Sequence, residues 1–167
     1  MARSEGTQPA TGPGEEASLT PRSSRSPQQT EEIAARFAST LRGGDVVTLH
    51  GGVGAGKTLF VRAVAGALGV SDRVVSPSFT LVVSYELPEL AVQRTGARRL
   101  VHIDLYRMGF TEEVDLLGLE EHFASDTIAL IEWPDRAARL IPERHIRVEL
   151  EITGADARGI HIDRPGD

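Results

Sequence analysis

The sequence has no cysteine and no asparagine, and one lysine and one tryptophan, Lys57 and Trp133. Without cysteine there can be no disulfide and no thiolate metal site. No stretch approaches the ~20 consecutive apolar residues that a membrane-spanning helix needs. The first residues also lack the apolar core of a secretory signal. The expectation is a soluble cytoplasmic protein. The formal net charge is -6, and an acidic domain binds nucleic acid poorly, because phosphate-backbone affinity comes from Lys and Arg. Any role in nucleic-acid metabolism is expected to run through a partner. Arg94, Arg98 and Arg99 lie close together in sequence, but a solvated loop accounts for such a cluster.

Residues 1–25 are rich in Ser, Pro, Gly and Thr and poor in large apolar side chains. They have little to bury against the entropy of ordering, so they read as a disordered tail. Residues 26–163 then form one domain. Ser26-Pro27-Gln28-Gln29 has the order of a capped helix start. Ile33, Phe37 and Leu41 follow on one face, and Gly43-Gly44 is the expected stop. Apolar runs predict strands at Val46 to Leu49, Thr80 to Tyr85, Leu100 to Leu105 and Thr127 to Ile131. Helices are predicted after Gly56, from Thr111, and briefly after Pro134. A polar loop is expected from Pro88 to Arg99. His145 to Ile152 and Arg158 to Ile162 read as a closing hairpin. The fold class is α/β, a three-layer P-loop NTPase-like domain with a mixed parallel and antiparallel sheet.

Gly51-Gly52-Val53-Gly54-Ala55-Gly56-Lys57-Thr58 matches G-x-x-x-x-G-K-[ST] between a strand and a helix. Glycines let the backbone curl so that successive N–H groups face a phosphate. The helix N-terminus adds its positive end. Lys57 can reach the β- and γ-phosphates and the Thr58 hydroxyl can ligate Mg²⁺. Leu59 follows in the first turn of the helix. A chain that uses arginine at its 17 other basic positions keeps its one ammonium here, where a compact point charge is needed. Guanine readers use N-K-x-D, which this composition cannot supply, so ATP is favoured over GTP.

Asp104 and Glu132 each end an apolar run. At the carboxyl end of a core strand an acid can hold Mg²⁺ or orient water, although a strand-end acid can also cap a neighbouring helix. The hydroxyls of Ser76, Ser78 and Thr80 suit a nucleotide-sensing switch or an ordinary strand entry. Trp133 lies beside Glu132, either near the nucleotide or in the core. The five histidines show no metal-ligand spacing and read as structural or exposed.

Together these segments resemble the TsaE family, small P-loop ATPases of bacterial tRNA threonylcarbamoyladenosine synthesis. The resemblance rests on Gly54-Ala55-Gly56-Lys57-Thr58, Ser76-Pro77-Ser78-Phe79-Thr80-Leu81-Val82, His102-Ile103-Asp104-Leu105-Tyr106-Arg107 and Ile131-Glu132-Trp133-Pro134. It spans Thr30 to Ile162. It implies Thr58 and Glu132 at Mg²⁺, Asp104 in hydrolysis, Trp133 near the nucleotide and Arg158 as a ligand contact. It also implies docking on a tRNA threonylcarbamoyl transferase subunit and its non-catalytic homologue, with tRNA held by those partners. Gly52-Val53 departs from the family's usual Asp-Leu, Ser78 from its usual Thr, and the 88–99 segment is longer. A P-loop small-molecule kinase and a non-catalytic nucleotide switch are the alternative readings.

Overall fold

The computed structural model describes residues 22–109 and 118–165. Seven strands form one sheet in the order β1-β7-β6-β2-β5-β4-β3. They are β1 (Arg22–Ser24), β2 (Val46–His50), β3 (Val82–Glu86), β4 (Arg99–Asp104), β5 (Thr127–Glu132), β6 (Ile146–Ile152) and β7 (Arg158–Asp163). β2 runs parallel to β5 and β6, and β5 parallel to β4. The flanking pairs β1–β7, β6–β7 and β3–β4 are antiparallel. The expected mixed sheet is therefore present, with the closing hairpin lying between β2 and the edge strand β1.

The parallel centre explains the core. β2, β4 and β5 are buried along nearly their whole length and read as continuous apolar runs, as strands covered on both faces do. On one face Val47, Leu49, Leu100 and Leu130 pack against α1 (Pro27–Ala38) and α2 (Lys57–Ala67). On the other, Val46, Val101, Ile103 and Ile131 pack with Leu119 and Ala137 from two 3-10 turns. The helix expected from Thr111 falls mostly on residues 110–117, which lie outside the described residues.

Local chemistry explains where the elements differ from expectation. Ser26 caps α1, its hydroxyl accepting from the Gln29 N–H, and Pro27 opens the helix. Gln29 reaches back one residue further than a capping box requires, accepting from the Arg25 N–H. α1 stops at Ala38, before Gly43-Gly44, because the Ser39 and Thr40 hydroxyls donate to the last-turn carbonyls of Arg36 and Phe37. The polar segment from Pro88 to Arg99 contains a short helix, α3 (Glu89–Thr95). It buries Ala91 and Thr95 and ends at Gly96 in the left-handed region, so two small buried residues suffice where no apolar stripe is visible. β3 begins at Val82, two residues late, after Leu81 takes a positive φ of 64°.

The tail boundary also moves. Composition placed residues 22–25 outside the domain, yet Arg22–Ser24 pairs with Ile160, Gly159 and Arg158. Ser24 is buried and its hydroxyl lies 2.6 Å from that of Thr30. Residues 1–21 lie outside the described residues. Deleting 1–21 is expected to leave the melting temperature unchanged. Deleting 1–25 is expected to cost about 2 kcal/mol in lost hydrogen bonds, or roughly 4–8 °C. Calorimetry on the two truncations checks this, and equal melting temperatures would contradict it.

Candidate functional site

Parallel strands bring their carboxyl ends to one sheet edge. β2 ends there and the Gly51 to Thr58 loop follows it into α2. Asp104 and Glu132 are register partners at the ends of β4 and β5, and Glu132 is also the partner of Leu49. The sequence spacing alone could not say that both acids stand beside the loop. The parallel register puts them there.

The loop's shape is set by its glycines. Gly51 has φ +139° and a Cβ there would meet the Leu150 carbonyl oxygen at 2.4 Å. Gly56 caps α2 with φ +103°. Gly52, by contrast, has open space where a Cβ would stand. The departure from the family's usual Asp therefore costs no packing and adds backbone freedom.

Lys57 is buried. Its Nζ donates to the carbonyls of Gly51 and Gly52 at 2.7 and 2.9 Å and lies 3.9 Å from the centre of the Trp133 ring. Burial pushes its pKa below the ordinary lysine value, against the opposing pull of Glu132 and then Asp104. The Thr58 hydroxyl donates to both carboxylate oxygens of Glu132, at 2.9 and 3.1 Å. On Asp104, Oδ2 accepts from the Ser76 and Ser78 hydroxyls at 2.7 and 2.9 Å, and Oδ1 from the Tyr106 N–H at 3.0 Å. These groups line one cleft of about 340 Å³, together with Val53, Gly54, Gly56, Leu59 and Trp133.

Of the residues expected at the site, Gly52, Ala55 and Arg158 stand off the cleft wall. Ala55 is buried. Arg158 grips the loop from the side, its Nε and Nη2 donating to the carbonyls of Ala55 and Gly54, both at 3.1 Å. It borders a second hollow of about 50 Å³ with Leu59 and Thr30. Two groups were missed by reading the sequence. Tyr106 holds Asp104 through its backbone and stacks its ring 4.9 Å from Trp133. His102 is fully buried with Nε2 at 2.9 Å from Glu132 Oε1. Its signal in the sequence was a lone polar residue inside the apolar run Leu100 to Ile103, two positions before Asp104 and so on the same face.

A family profile described as threonylcarbamoyl adenosine biosynthesis protein TsaE matches residues 24–160. The chain belongs to the TsaE family. The TsaE protein of Bacillus subtilis is 34% identical over 141 residues, covering 84% of this chain and 83% of its own length. That of Rickettsia bellii is 35% identical over 138 residues, covering 82% and 90%. Both bear the name tRNA threonylcarbamoyladenosine biosynthesis protein TsaE. The crystal structure of Bacillus subtilis YdiB superposes with a TM-score of 0.72 at 30% identity, over 89% of this chain and 86% of that one. Ser78, where the TsaE pattern usually has Thr, keeps the hydroxyl that Asp104 uses. No helix among the described residues is long and apolar enough to cross a membrane.

Trp133 is expected to report nucleotide binding in this TsaE-family protein. Its ring is in contact with the Lys57 ammonium, so drawing that charge toward a phosphate changes the ring's surroundings. Titration with ATP or ADP should shift its emission. An unchanged spectrum at saturation, with binding confirmed by calorimetry, would contradict the assignment.

Proposed function

We propose that this protein binds and hydrolyses Mg·ATP in the cleft between the P-loop and Glu132. It does so in the cytoplasm as an accessory of tRNA threonylcarbamoylation. It docks on the transferase subunit and its non-catalytic homologue, which attach threonylcarbamate to the adenosine beside the anticodon. The observation that carries this reading is the Thr58–Glu132 contact beside Lys57: a hydroxyl, a carboxylate and an ammonium on a P-loop. Family membership supports the tRNA role, and the net charge of -6 supports leaving tRNA contact to the partners.

The donors fit magnesium. Thr58 and Glu132 offer hard oxygen ligands, and Mg²⁺ typically takes one or two protein oxygens beside phosphates and waters. When bound, the ion neutralises charge on the phosphates. The chain's own residues do the rest. Loop N–H groups and the α2 N-terminus hold the phosphates. Lys57 exchanges its carbonyl partners for phosphate oxygens. Asp104 orients the attacking water once it gives up a serine hydroxyl. That exchange requires the Ser76 to Thr80 segment to shift, and the segment carries Phe79, 83% exposed and stacked only on Arg107 at 4.1 Å among the ring contacts described. A docking partner can reach Phe79 and move both serines.

Phosphate release without any acceptor, measured with and without the transferase pair, tests the reading. Slow release alone and strong stimulation by the pair are expected. ADP formation that requires a small-molecule acceptor, with the phosphoryl group carried on that acceptor rather than released, would indicate a kinase, and no ADP formation under any condition a nucleotide switch.

A further inference from the structure

His102 has the burial of a core residue and the contact of a site residue. On β4 it stands two positions before Asp104 and so on the same face. Its side chain is fully buried. Its Nε2 is 2.9 Å from Glu132 Oε1, the oxygen that also accepts from Thr58 at 2.9 Å. Its Nδ1 is buried and has no hydrogen-bond partner among the described residues.

A carboxylate oxygen only accepts, so Nε2 carries the hydrogen in this contact. A buried ring nitrogen left without a partner is costly, and Leu or Phe would fill the same space without that cost. The position therefore retains an imidazole against packing, and what it gains is one N–H aimed at Glu132. A carboxylate can swing about its last torsion. Held by the Thr58 hydroxyl alone, Glu132 would lose its anchor whenever Thr58 turned toward a cation.

We propose that His102 is a positioning residue. Its Nε2–H holds Glu132 Oε1 so that the carboxylate keeps its aim when the Thr58 hydroxyl is recruited to Mg²⁺. The inference rests on the Mg·ATP reading of the cleft and goes beyond it, since it assigns a role to a buried side chain that touches neither nucleotide nor metal. Partners behind a ligand typically change metal affinity 10–100-fold.

Calorimetry of ATP binding across a Mg²⁺ series, and again in EDTA, tests it. His102→Leu removes the donor and keeps the bulk. It is expected to raise the Mg²⁺ concentration for half-maximal effect by about tenfold or more, with affinity in EDTA unchanged. His102→Gln keeps an N–H donor and is expected to stay within about threefold of the parent, a rescue that packing alone does not predict. A Leu variant with the parent's Mg²⁺ dependence would overturn the proposal. So would a folded Gln variant as impaired as Leu. Should Leu fail to fold, the Gln variant and the imidazole ¹⁵N shifts of the unaltered protein decide. Hydrogen on Nε2 supports the role, and a bare Nε2 overturns it. If the parent protein itself shows no Mg²⁺-dependent ATP binding, the function proposed above fails instead.

Discussion

Replacing Lys57 with alanine is expected to weaken ATP binding by about a hundredfold or more while leaving the fold intact. The loss follows from removing a charge-assisted hydrogen bond to the phosphates, about 1.5–3 kcal/mol even before the loss of long-range attraction. The sequence has no second lysine to take over. Burial lowers the pKa of Lys57 in the folded chain, so its charged form is disfavoured by folding. That cost is fully present below the folded pKa and fades as the pH rises past it. Alanine removes that cost together with the hydrogen bonds to the Gly51 and Gly52 carbonyls, two opposing changes, so the melting temperature at neutral pH should change little. Thr58→Ala should behave differently, weakening binding in Mg²⁺ more than in EDTA and releasing Glu132 from two hydrogen bonds. Calorimetry and thermal unfolding on both variants check these outcomes. Parental Mg·ATP affinity in either variant would contradict the site.

The parts of this account differ in how legible they were. The P-loop is a local object: eight consecutive residues with their strand and helix define it. The central strands were visible because burial on both faces leaves continuous apolar runs, as in Leu100 to Ile103 and Ile128 to Ile131. What the sequence does not carry is register. That Asp104 and Glu132 are neighbours, and that Glu132 meets Thr58 from 74 positions away, depends on β4 and β5 pairing in parallel beside β2. His102 was passed over for the same reason, since a search for metal-ligand spacing has nothing to find in a side chain whose partner is 30 positions downstream. β1 was missed because three residues of Arg and Ser have no apolar pattern; the strand exists through the edge of β7 that it pairs with. α3 was read as loop because its seven residues show too little periodicity to register. Arg158, which the family resemblance places at the ligand, braces the Gly54 and Ala55 carbonyls, a contact that depends on β7 starting beside the P-loop.

The largest effect is expected at Glu132. The cleft has an ammonium, a hydroxyl and two acids, but among the described residues no arginine lines it. A finger arginine is worth roughly 10³–10⁵ in rate where it operates. Asp104, moreover, is tied on both oxygens by Ser76, Ser78 and Tyr106. The isolated chain should therefore hydrolyse ATP slowly. Mixing it with the transferase pair should raise hydrolysis well above the sum of the parts, by supplying the missing charge or by moving the 76–80 segment off Asp104. Glu132→Ala should remove that stimulated rate, because the carboxylate is held by Thr58 where the proposed Mg²⁺ would bind. Asp104→Ala should impair it. The most direct measurement is repeated tRNA threonylcarbamoylation in a reconstituted system whose one source of this activity is the Glu132→Ala variant. The account predicts that modification stalls after about one turnover per transferase while the parent protein sustains many. Undiminished multiple turnover with the Glu132→Ala variant would contradict it.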